Sequence, residues 1–141
     1  MQAIGFQGAV EKILAEDARY DVEGYSFLRD ALDATLKRRK KARKEASGNV
    51  NAAELLEGFR LHALAEFGPM AITVLGYWGI RTCADVGHMV FNLVQAGEFV
   101  KTEEDTVESF REGYDFTEAF VLPFQPAPDN LSTNGPGVVG R

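Results

Sequence analysis

Several residues in this chain have the types and spacing that chemistry uses. Asp85 and His88 stand three apart, and His62 and Glu66 four apart, each pair on one face of a predicted helix. Either pair could give two ligands to a metal ion. A catalytic zinc centre takes three from the protein, and the sequence places no third beside either pair. Cys83 follows Thr82 at the start of a predicted helix, where the aligned peptide dipoles can lower a thiol pKa. His88, the nearest base, sits about 140° further round that helix, so the two side chains diverge. Asn92 and Gln95 are the side-chain types that bond bidentately to adenine, and His88 is compatible with them. His88, Asn92 and Gln95 are therefore expected on an outward helix face.

Charge supplies a further candidate. Lys37, Arg38, Arg39, Lys40, Lys41, Arg43 and Lys44 place 7 of the 15 basic residues within eight positions. The remaining eight face 21 acidic residues, so the rest of the chain has a net charge of −13 against −6 for the whole. An acidic body carries one basic segment. That segment could neutralise phosphates of nucleic acid or meet an acidic partner. It contains no aromatic side chain on which bases could stack, and no apolar face for a membrane.

The elements that must position these groups are mostly helical. Phe6, Ala9, Val10, Ile13 and Leu14 predict a helix over about residues 4–16. A second begins near Val22 and carries Tyr25, Leu28, Ala31, Leu32, Thr35 and Leu36 on one stripe. It continues through Lys44 without apolar residues, so its basic end must project or lie on the acidic body. Asn51 and Glu54 form a capping box for a third helix, which Gly68-Pro69 ends. Residues 70–78 read as a short, nearly all-apolar helix with Met70, Val74, Tyr77 and Trp78 buried. Thr82 and Asp85 cap a fifth helix, with Val86, Met89, Val90, Leu93 and Val94 as its core face and Gly97 as its stop. Phe91 lies off that face and calls for a second packing layer, from the N-terminal helices or from a symmetry mate. Residues 98–102 and 119–124 read as two strands of a hairpin, with a helical turn from Thr102 and Asp105 through Phe110 between them. Pro, Gly, Asn and Ser dominate the end of the chain.

Four ordered segments resemble a family of small, uncharacterised bacterial proteins. They are ARYDVEGYSFLRDAL (Ala18–Leu32), ELLEGFRLHALAEFGPMA (Glu54–Ala71), VLGYWGIRTCADVGHMVFNLVQAGEFVKTEED (Val74–Asp105) and YDFTEAF (Tyr114–Phe120). The resemblance implies a bacterial, single-domain protein. It transfers no activity and no catalytic residue.

The expected architecture is a mainly α domain over residues 1–122 with a small C-terminal β-hairpin, winged-helix-like around residues 54–124, and a flexible tail over 123–141. No run is long and apolar enough to span a bilayer, and the N-terminus lacks a secretory signal, so a cytoplasmic setting is expected. No complete catalytic set is visible, and no cofactor or metal is expected. The function expected first is a non-enzymatic binding or adaptor module acting through protein contacts, with a homodimer as an open alternative. The second is nucleic-acid association through residues 37–44 and a winged-helix-like unit over 70–102. In that arrangement the fifth helix would enter the major groove. Yet only Arg81 and Lys101 flank it with positive charge, among Asp85, Glu98, Glu103, Glu104 and Asp105.

Overall fold

How each helix starts and stops accounts for most of the architecture. The computed structural model of the chain describes residues 2–42, 50–99, 107–111 and 113–126, with backbone alone at 2–7, 42 and 107. Helices α1 (Gln2–Glu16) and α2 (Val22–Ala42) are joined by a short polar junction. Helix α3 (Ala52–Phe67) begins at Asn51, whose side chain accepts the Glu54 N–H at 2.8 Å while the Glu54 carboxylate accepts the Asn51 N–H at 3.1 Å. A 3-10 turn with Pro69 in its first turn leads into α4 (Ala71–Tyr77). Helix α5 (Cys83–Gln95) repeats the capping device: the Thr82 hydroxyl accepts from the Asp85 N–H and Asp85 accepts from the Thr82 N–H. Two short helices, α6 (Val107–Arg111) and α7 (Phe116–Phe120), and a 3-10 turn over Leu122–Phe124 follow.

Val86, Met89 and Leu93 of α5 are fully buried, in one core cluster with Tyr25, Leu28 and Ala31 of α2 and Leu56, Phe59 and Ala63 of α3. The core face expected for α5 is thus the one buried, with Val94 at its edge. Phe91 meets Phe110 edge-on at 6.4 Å, so α6, rather than the N-terminal helices, packs against it. Helices α2 and α3 pack closely because Gly58 has no side chain. A methyl group there would collide with the Thr35 hydroxyl, which is buried and donates to the Ala31 carbonyl at 2.7 Å.

The described residues are mainly helical and include no strand. The expected strand over 119–124 is instead helix α7 followed by the 3-10 turn. Asp115 decides the matter locally: its side chain accepts the Glu118 N–H at 3.1 Å and starts a helix. Phe116 and Phe120, one turn apart, are then both buried against Tyr114. The other half of the hairpin does not begin as a strand either. The N–H groups of Glu98 and Phe99 both return to the Leu93 carbonyl, closing the end of α5 around Gly97 at φ +84°. Residues 100–102, including Lys101 and Thr102, and the tail from residue 127 lie outside the described residues, as does the side chain of Phe6.

A second correction concerns α4. Ala71 and Leu75 are its buried pair, with Ile72 and Trp78 partly buried beside them. Met70 and Tyr77, expected inside, are 56% and 86% exposed. Met70 closes the 3-10 turn that leads into α4, and Tyr77 is the last residue of α4.

Candidate functional site

The polar stripe of α5 meets the α1–α2 junction. Tyr20 is buried, and its hydroxyl donates to Asp85 Oδ1 at 2.6 Å. The other carboxylate oxygen accepts the N–H groups of Arg81 at 2.9 Å and Thr82 at 3.0 Å. Burial pushes the Asp85 carboxyl up, but these donors outweigh it and hold it below the usual carboxylate range. Its lone pairs are committed to capping and to Tyr20, so Asp85 is poorly suited to act as a base or a ligand. Burial, then the adjacent carboxylate, raise the Tyr20 phenol well above its ordinary value, so it remains a hydrogen-bond donor. His88 Nδ1 lies 3.5 Å from the same hydroxyl, at the long limit for such a bond.

One turn and more along α5, the Asn92 amide donates to Asp17 at 3.1 Å and to the Tyr25 hydroxyl at 3.0 Å. Asp17 also receives two bonds from the Arg19 guanidinium, at 2.9 and 2.8 Å, which hold its carboxyl well below the usual range against the opposing effect of burial. The Arg19 guanidinium lies 5.2 Å from the centre of the Tyr20 ring. The junction is completed by the Asp21 N–H donating to the Trp78 carbonyl at 3.1 Å. Gly79, at φ +88°, brings its backbone against the Arg19 carbonyl, where a side chain would collide.

The outward face expected of His88, Asn92 and Gln95 is therefore divided. Gln95 is exposed, whereas His88 and Asn92 are half-buried, and Asn92 spends its amide on Asp17 and Tyr25. Sequence reasoning missed Asp17, Arg19, Tyr20 and Tyr25 as the partners of this stripe. The available signal was the polar segment DARYD between two helices, opposite a polar stripe on a helix otherwise facing the core.

The remaining candidates separate. Cys83 is buried, with Sγ 3.4 Å from the Tyr114 N–H, and burial pushes its thiol up rather than down. The His62 ring packs on Phe27 at 4.9 Å, within a cluster of Phe27, Phe59, Phe67 and Trp78. Among the described residues no three His, Cys, Asp or Glu side chains converge as metal ligands. No described helix is long and apolar enough to cross a membrane.

The basic segment splits by residue type. Arg39 reaches Glu54 of α3 at 3.5 Å, and the charge of Arg38 helps Arg60 to hold the Glu57 carboxyl low. Lys37, Lys40 and Lys41 are exposed. Arg43 and Lys44 lie outside the described residues.

Open grooves occur among the described residues. One, of about 560 Å³ between α1 and α5, carries Lys12 against Glu16, Asp17 and Glu98, so its balance is acidic. Another, of about 530 Å³, lies between the α1–α2 junction and the end of α4, bordered by Tyr77, Trp78, Arg19 and Arg81. Against known proteins the chain gives no match to a family model, a curated protein or a solved structure. Its functional reading rests on its own geometry.

Proposed function

We propose that the protein is a non-enzymatic binding module that acts through protein contacts, with the outer face of α4 as the contact surface. The observation that supports this is the exposure of Met70 and Tyr77 at the two ends of α4, with Val74 half-buried between them, on a helix whose Ala71 and Leu75 are core. Apolar side chains at positions i, i+4 and i+7 are the anchors by which one helix face seats against another protein. Tyrosine and methionine are also among the residue types enriched at such interfaces. Covering each would contribute roughly 1.5–3 kcal/mol to association. The groove of about 530 Å³ beside Tyr77 gives a partner side chain a place to enter.

Nucleic-acid reading by α5 has less support. Asn92, one of its two adenine-reading residues, is already engaged within the fold. The test is affinity capture from the native cell, with nuclease, comparing the wild-type chain with a Met70→Ser/Tyr77→Ser variant. A discrete protein captured by the wild type and lost by the variant supports the reading. Equal capture by both, or capture that nuclease abolishes, overturns it. If the wild type is itself a dimer by light scattering and the variant a monomer, the partner is a second copy.

A further inference from the structure

Helix α2 outruns its own apolar stripe, and its last turns sort arginine from lysine. At 100° per residue, the buried positions Leu28, Ala31 and Thr35 define one side of the helix, and Arg39 continues that side one turn beyond Thr35. Its side chain is 16% exposed and lies against Glu54. Arg38 flanks it towards Glu57. Lys37, Lys40 and Lys41 fall on the opposite side, at spacing i, i+3 and i+4, and all three are exposed. Among the described residues none of these ammonium groups is within ion-pair distance of a carboxylate.

This division carries a cost that the fold does not need. Like charges at i, i+3 and i, i+4 oppose helix formation, and the favourable dipole at a helix C-terminus offsets that only in part. Arg39 already fastens the helix end to α3. The lysines add nothing to that attachment.

We propose that Lys37, Lys40 and Lys41 form a sequence-independent docking edge for the phosphate backbone of a nucleic acid. This surface is separate from the α4 face, and neither depends on the other. Charge complementarity chooses the occupant. The flexible, point-like ammonium groups suit phosphates met without fixed orientation, whereas Arg39, whose fork suits carboxylates, lies against the protein's own Glu54. Lys37 to Lys41 spans about 6 Å along the axis, room for about two phosphates of one strand. On the same side, the preceding turns carry exposed Asp30 and Asp33, which repel a strand that runs further. Leu36, 40% exposed, borders this side, but one apolar side chain does not make the apolar face that a lipid surface requires. The footprint is therefore short and reads no bases.

The experiment is fluorescence anisotropy of the full chain with two 20-base-pair duplexes of unrelated sequence, titrated across 20–200 mM potassium chloride. The two duplexes are expected to bind equally. A Lys37→Gln/Lys40→Gln/Lys41→Gln variant, with unchanged circular dichroism, should bind at least tenfold more weakly at 50 mM salt. Its plot of log affinity against log salt should be shallower than the wild type's by about 1.8, since each of the two phosphates neutralised contributes about 0.9. The Met70→Ser/Tyr77→Ser variant should bind the duplexes as the wild type does, whether or not α4 contacts a protein. Absence of duplex binding at 20 mM salt, or equal binding by the triple variant, overturns the proposal. So does binding to vesicles of phosphatidylserine and phosphatidylcholine in equal parts without binding to duplex.

Discussion

The Tyr20 hydroxyl donates a 2.6 Å hydrogen bond to Asp85, whose position is 65 residues further along the chain. Asp85 is also the residue that closes the capping box of α5. One carboxylate thus starts α5 and receives the α1–α2 junction. Local and long-range structure meet at the same two oxygens, so changes at either residue act on both.

Replacing Tyr20 by Phe keeps the ring and removes the donor. A hydrogen bond to a charged acceptor contributes about 1.5–3 kcal/mol, and that loss is expected for Tyr20→Phe in urea unfolding. Asp85→Asn should cost at least as much, because it also weakens the cap. A loss under 0.5 kcal/mol for Tyr20→Phe would show that water replaces the tyrosine readily.

Acid should loosen the same junction. Asp17 and Asp85 both have carboxyl pKa values below the ordinary one in the folded chain. A depressed folded pKa gives stability that is complete above the unfolded value near pH 4 and is lost as pH falls below it. Thermal midpoints should therefore stay level from these groups above about pH 5 and drop below about pH 4. In Asp85→Asn that acid-side drop should be smaller. An unchanged drop would place the acid sensitivity elsewhere.

The α2–α3 contact predicts a non-additive pair. Gly58→Ala alone should destabilise by about 1–3 kcal/mol, because the added methyl meets the Thr35 hydroxyl. With Thr35→Ala in the background the same methyl finds space, and its cost should fall by at least half. Equal costs in both backgrounds, measured by urea unfolding, would mean that Thr35 does not set the spacing.

Cys83 should behave as a core residue. Burial raises its thiol pKa, and Sγ sits against the Tyr114 backbone. An aromatic disulfide reagent at pH 8 should react with it no faster than the chain unfolds, and at once in guanidinium. Rapid reaction of the native chain would contradict the packing.

The parts of the fold that were legible in sequence are those written in local patterns. Asn51–Glu54 and Thr82–Asp85 announce two helix starts, and the repeat of Val86, Met89, Val90 and Leu93 announces a core face. Helix α4 was legible as an element but not in orientation. Nearly every position in it is apolar, and Thr73 alone marks the outer side, too little to orient the helix before packing turned Ala71 and Leu75 inward. Residues 119–124 were misread because Phe, Val and Leu favour strands as singles, while the helix there is set by Asp115 and by Phe116–Phe120 spacing. The Tyr20–Asp85 and Asn92–Asp17 links join distant segments and leave no periodicity to find.

The bond from the Asp21 N–H to the Trp78 carbonyl joins the two interhelical junctions on either side of Tyr77. With Gly79 seated on the Arg19 carbonyl, the end of α4 is clamped to the start of α2. Tyr77 therefore stands on a rigid mount. A partner that meets it finds the backbone already in place and need restrain only side chains, so association at this face should show little change in backbone amide exchange at the two junctions.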